Sequence, residues 1–171
     1  MIRLHVSQRI FTLGERFAVT DDAGRARYFV DGSFLRIPKE FLIKEADGGN
    51  VARLWKTPIS LLPRYNLEIH GQPAAVIRQR LTLLRKHLEI TPVGGYKDLD
   101  VRGDIWNMDF DIYRGGRAIG HVGKRWLSIR DRYTIIVDDP REELIVVAIV
   151  VAIDHIKRQD AAAKTSASSN S

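Results

Sequence analysis

The sequence predicts an all-β fold: a closed twelve-stranded antiparallel barrel of six hairpin repeats around a buried C-terminal hydrophobic α-helix. Ring-bearing residues recur at intervals of 22–24 positions, and glycine turns fall between them in the same rhythm. A single unbroken apolar run follows the last repeat.

The repeat is plainest in Arg9–Phe17, Arg80–His87 and Arg125–Tyr133. Each passes from a basic residue through an alternating apolar stretch and a polar turn to a ring. Weaker copies lie at Phe34 to Phe41 and Ile59 to Tyr65, so the markers are Phe17, Phe41, Tyr65, His87 and Tyr133. The last interval is double, and Phe110 stands near its midpoint. Gly24, Gly48-Gly49, Gly71, Gly94-Gly95 and Gly115-Gly116 separate the markers. Glycine adopts the positive φ that tight strand connections require, so each period holds two short strands and two turns. A meander of six hairpins closes on itself or splits into a sandwich, because open edges template aggregation.

Alternation supports the strands. Between Val76 and Leu84, Ile77, Leu81 and Leu83 share one face while Arg78, Arg80 and Thr82 share the other. That is period-two geometry, with the leucine face turned inward. The stretch Ile119 to Ile129 alternates less regularly, and Gly123 is expected to mark a bulge there.

After Tyr133–Val137 the pattern changes. Asp139 reads as a helix N-cap, Pro140 as the first helical residue and Glu142 as a first-turn acid. Leu144–Ile153 is then apolar on every side, and such a helix must be buried all round. Ten apolar residues fall well short of the ~20 that span a bilayer. The β-branched content leaves a continuous buried strand as an alternative. The cap, and Lys157 and Arg158 at the far end, favour a helix over about 140–159. A twelve-stranded barrel has an interior to fill, and this helix is the available filling. One domain over 1–160 results, and the small polar segment 161–171 is expected as a disordered tail.

Composition narrows the chemistry. The chain has no cysteine, which excludes disulfides, zinc–thiolate sites and a thiol nucleophile. Its beginning lacks the apolar stretch of a signal peptide, so the cytoplasm is the expected location, with peripheral attachment at a membrane. Lys and Arg number 27 against 21 Asp and Glu, for a net charge of +6 and a pI near 9.8. That excess favours encounters with phosphate-rich surfaces, and it equally serves solubility.

Several segments carry a family likeness: Val101–Ile105, Tyr113–Ile119, Lys124-Arg125-Trp126, Tyr133 and the opening Gln8–Phe17. With these the chain resembles the LURP-one-related family from about Leu4 to Lys157. The resemblance implies kinship with the tubby C-terminal domain and the phospholipid scramblases, and hence a twelve-stranded barrel around a central hydrophobic helix. Tubby-type domains bind phosphoinositide headgroups through basic residues. That lipid site does not map residue by residue onto this sequence.

Two basic clusters are the candidate anion or lipid sites. Arg78, Arg80, Arg85 and Lys86 lie on one expected hairpin, and Lys124, Arg125, Arg130 and Arg132 on another. Alternate basic residues on a strand project from one face and grip phosphates; the plainer reading is a solvated outer wall. Nucleic acid is disfavoured, because no aromatic stacking platform accompanies the charge. The acidic stretch Asp98, Asp100, Asp104, Asp109 and Asp111 invites a calcium reading, and Asp98 and Asp100 with Gly103 loosely echo a calcium loop, but Arg102 occupies a ligand place and Asp109 stands where a bidentate Glu belongs. The histidines (His5, His70, His87, His121 and His155) show no metal-ligand spacing. Asp154-His155 lacks an accompanying nucleophile elbow, and the paired glycines do not sit between a strand and a helix as a nucleotide loop would. An enclosed Asp154 carboxylate would need a donor. The expectation is a non-enzymatic binding module without metal or cofactor, directed at anionic phospholipid headgroups or another phosphorylated ligand. A protein-interaction scaffold without lipid affinity is the alternative.

Overall fold

The computed structural model describes residues 1–7, 16–32, 40–59, 62–81, 86–123 and 131–168; side chains at positions 7, 16, 80, 81, 86, 87, 131, 132 and 158–168 are not described. Twelve strands precede one helix: β1 (Ile2–Ser7), β2 (Arg16–Asp21), β3 (Ala26–Gly32), β4 (Glu40–Glu45), β5 (Asn50–Lys56), β6 (Arg64–Ile69), β7 (Gln72–Leu81), β8 (Lys86–Pro92), β9 (Leu99–Asp104), β10 (Asp109–Arg114), β11 (Arg117–Gly123), β12 (Asp131–Val137) and α1 (Glu143–Ser168). All neighbouring strands pair antiparallel, in the order 8-7-6-5-4-3-2-1-12-11-10-9. β1 zips to β12 through Ile2↔Val137, Leu4↔Ile135 and Val6↔Tyr133, which curls the sheet round. β8 and β9 stand at the two ends of that order without a shared ladder, so the barrel is closed except for one seam. Pro92, the last residue of β8, has no N–H to offer a ladder, and the 3-10 turn Gly94–Tyr96 carries the chain on to β9.

The repeat maps onto this architecture with little remainder. Phe17, Phe41, Tyr65, His87 and Phe110 are each the second residue of an even-numbered strand, and Tyr133 is the third of β12. Phe41, Tyr65, Phe110 and Tyr133 are buried, and Phe17 packs against the core from its edge. The glycine turns all fall at the other end of the barrel, where Gly24, Gly48, Gly71, Gly94, Gly115 and Gly116 take positive φ. The barrel thus has a turn end, formed by 22–25, 46–49, 70–71, 93–98, 115–116 and 138–142, and an opposite loop end.

The bulge expected at Gly123 lies elsewhere. Gly123 pairs regularly with Thr134, and the register shift falls between Ile112 and Tyr113, opposite the extra residue Ile119. What glycine does in β11 is packing. A Cβ on Gly120 would stand 2.7 and 2.8 Å from the two methyls of Val146, so this strand admits the helix only because the side chain is missing.

Asp139 caps a 3-10 turn, Pro140–Glu142, by accepting from the Arg141 N–H, and α1 follows directly. Ile145 to Ile156 are buried without a break, Asp154 and His155 included. The apolar run is therefore a helix on the barrel axis rather than a strand. It runs to Ser168, nine residues past the expected end at Gln159 and through most of the segment expected as a disordered tail. Ala161-Ala-Ala-Lys164 are strong helix formers, and a helix already anchored in the barrel extends without a new nucleation step. Among the described residues, no helix is long and apolar enough to cross a membrane.

Candidate anion-binding wall

Charge divides the two ends. The turns of the turn end hold six acids, Asp22, Asp47, Asp98, Asp138, Asp139 and Glu142, against three bases, Arg25, Lys97 and Arg141. Arg114 binds Glu142 at 2.9 Å and Asp98 at 3.1 Å. Arg141 binds Asp139 at 2.6 Å, and this guanidinium, before the Arg141 N–H, holds the Asp139 carboxyl down at about 2. Deeper in, Arg27 spans both oxygens of the buried Glu143 at 3.0 Å. Burial, then the Glu143 charge, pushes the Tyr28 phenol beside this pair well above its usual range. These bonds tie the N-terminal turn of α1 to β3 and β10.

At the loop end the linking sequences 8–15, 33–39, 57–63, 82–85, 105–108 and 124–130 include Arg9, Arg36, Lys39, Arg85, Lys124, Arg125 and Arg130, with Glu15 as their one acid. Of the anticipated basic residues, Arg85, Lys124, Arg125 and Arg130 lie outside the described residues. The strands bordering them in sequence, β7/β8 and β11/β12, have their facing ends at the loop end. Arg80 stands opposite His87, on the same register face as Arg78. Lys86 pairs with Leu81 at the end of the β7–β8 ladder. Arg132 falls where the β1–β12 register shifts, between the paired Asp131 and Tyr133.

Arg78 is exposed on the outer face, as the alternation requires, with Ile77 wholly buried on the inner one. Directly opposite it on β6 is Arg64. Facing residues of antiparallel strands have Cβ atoms about 4.5–5.5 Å apart, so this is a like-charge pair, an unfavourable arrangement without a counter-ion. Neither arginine makes an ion pair among the described residues, although Glu89 stands across from Arg78 on β8. The Arg64 Nε is buried and has no hydrogen-bond partner among the described residues. Other described arginines differ: Arg3, Arg25, Arg27, Arg53, Arg102, Arg114 and Arg141 all have a carboxylate within 4.0 Å, and Arg117 acts on Asp139. Two arginines that face each other and stand outside any ion pair among the described residues are a candidate site for a phosphate or sulfate group.

The acidic stretch is dispersed rather than gathered. Asp98 goes to Arg114 and Asp100 to Arg102. Asp104 accepts from the side chain and the N–H of Asn107, which lowers its carboxyl. Asp111 meets His121 and the Tyr113 hydroxyl. Among the described residues no group of three potential ligands converges on a metal position. His155 is a core residue, tilted against Phe41 with ring centroids 3.7 Å apart and edge-on to Tyr65 at 5.9 Å. Asp154 is buried beside it, and it too has a partner.

Arg64 was not singled out by the sequence, because its significance lies in its register with Arg78. Comparisons with known proteins agree with this architecture. The LURP-one-related family profile matches residues 2–154, and the chain belongs to that family. It is 24% identical over 160 residues to the uncharacterised protein YxjI of Bacillus subtilis (strain 168), covering 94% of this chain and 96% of that one. A protein of Arabidopsis thaliana with an X-ray structure shares the fold at a TM-score of 0.60, with 13% identity and 90% of each chain covered.

Proposed function

We propose that this LURP-one-related barrel is a non-enzymatic binding module that holds an anionic, phosphate-bearing headgroup on its outer wall through Arg64 and Arg78. The carrying observation is the facing pair itself: two arginines opposed across β6 and β7, neither of them in an ion pair among the described residues. The axial helix, buried from Ile145 to Ile156, occupies the volume where an enclosed polar active site would sit. The sequences that link the strands at the loop end are rich in basic residues, and that excess adds long-range attraction.

Flotation of the purified chain with phosphatidylcholine vesicles, with and without phosphatidylinositol phosphates, tests this at low and near-physiological salt. Binding is expected on the anionic vesicles alone, fading with salt. A basic residue at an anionic surface contributes about 1 kcal/mol, so Arg64→Gln with Arg78→Gln weakens binding by about 2 kcal/mol, roughly thirtyfold. Binding indifferent to salt and to both substitutions overturns the proposal. No flotation under any condition does so too, and directs the search to protein partners.

A further inference from the structure

The connection that delivers Arg64 to β6 has an unusual composition: Thr57-Pro58-Ile59-Ser60-Leu61-Leu62-Pro63, uncharged from end to end. Its described part is held at the base. The Thr57 N–H donates to the Arg64 carbonyl at 2.8 Å, the Asn66 amide to the Thr57 hydroxyl at 3.1 Å, and the Gln79 N–H to the Pro63 carbonyl at 3.0 Å. Prolines at both shoulders remove backbone freedom. On this fixed base Ile59 stands 96% exposed, and Leu62 is 37% exposed. The only other exposed large apolar side chains among the described residues are Met1 at the chain start and Phe29 on the outer face of β3.

A lone exposed isoleucine needs no explanation. This one is different because of what adjoins it. The hydrogen bond that closes the connection ends on Arg64, so the apolar Ile59 and the facing arginine pair belong to one pinned unit at the loop end of the barrel. Exposed apolar side chains beside two arginines that make no ion pair among the described residues match the layering of a membrane surface, where phosphates lie above the acyl boundary. A free phosphorylated solute would use the arginines and leave Ile59 in water. The turn end carries carboxylates and their ion pairs, which an anionic surface repels.

We infer that the protein docks loop end first on an anionic lipid surface, with the Ile59 side chain entering the acyl boundary while Arg64 and Arg78 hold the phosphates. This rests on the binding reading above and adds to it a lipid source, an orientation and an insertion point.

The cysteine-free sequence makes the test direct. Ile59→Cys carrying a polarity-sensitive fluorophore is compared with Ala46→Cys, labelled alike at the exposed β4–β5 turn of the opposite end. On phosphatidylcholine vesicles containing phosphatidylinositol phosphates, the label at 59 should shift to the blue and be quenched by brominated acyl chains, and the label at 46 should do neither. Ile59→Asp should weaken flotation of the unlabelled protein about tenfold, with melting temperature and circular dichroism unchanged. Wild-type flotation with an unshifted, unquenched label at 59 overturns the insertion and leaves headgroup binding standing. Absence of wild-type flotation removes both. A shift at 59 that appears without vesicles and grows with protein concentration assigns the tip to a second copy of the chain and also overturns the inference.

Discussion

Gly120 offers the sharpest test of the helix-in-barrel packing. A methyl added there would lie 2.7 and 2.8 Å from the two γ-carbons of Val146, about 1 Å inside ordinary carbon contact. Val146 is fully buried on a helix enclosed by the barrel, so it has little room to retreat. The Gly120 backbone does not need positive φ, so Gly120→Ala acts through overpacking, at about 2 kcal/mol within the usual 1–3. Val146→Ala removes two methyls, about 1.6 kcal/mol of transfer energy, and with the cavity it leaves costs about 2–3 kcal/mol. Independent effects would sum to about 4–5 kcal/mol. The double variant should cost only about 2–3 kcal/mol, because the new methyl fills part of the vacated space, giving a coupling near 2 kcal/mol. Urea unfolding followed by circular dichroism measures all four proteins, and each kcal/mol moves the melting temperature by roughly 2–4 °C. Additivity within about 0.5 kcal/mol would refute the contact and the packing of α1 on β11.

Other positions make simpler claims. Gly103→Ala should destabilise by about 3 kcal/mol or more in urea titrations, since φ is +123° and a Cβ would sit 2.7 Å from the Asp109 carbonyl; Gly95→Ala, with nothing within 4 Å, should stay within about 0.5 kcal/mol. Arg27→Met leaves the buried Glu143 without its bidentate partner and should cost about 1–3 kcal/mol by thermal melting, less than for a fully buried pair because Arg27 is half exposed. The Asp139 carboxyl is depressed in the folded state, so its stabilisation is fully present above its ordinary value of 3.8 and is lost as pH falls towards about 2. The stability gap between the wild type and Asp139→Asn, followed by urea titration at each pH, should accordingly hold from pH 7 to about 4 and then close. Calcium at millimolar concentration should leave the melting temperature unchanged, because Asp98, Asp100, Asp104 and Asp111 are already engaged by neighbouring side chains.

The sequence by itself determined the strand count, the turn positions and the axial helix. The reason is local: positive-φ glycines, alternating faces and a helix apolar all round each leave a mark within a few residues, and the repeat multiplies that mark six times. It also placed Arg78 on the outer wall, since alternation with the buried Ile77 fixes the face. Only the tertiary structure decided the rest. The seam between β8 and β9, the bulge at Ile112/Tyr113 and the close approach of Val146 to Gly120 depend on which strand meets which and in what register. Segment 161–168 has the polarity of a disordered tail, yet it is helical because it continues a helix whose first turns the barrel has already fixed. Arg64 and Ile59 are unremarkable residues in the chain. They acquire meaning where β6 meets β7, because strand pairing alone sets two arginines face to face beside a pinned apolar tip.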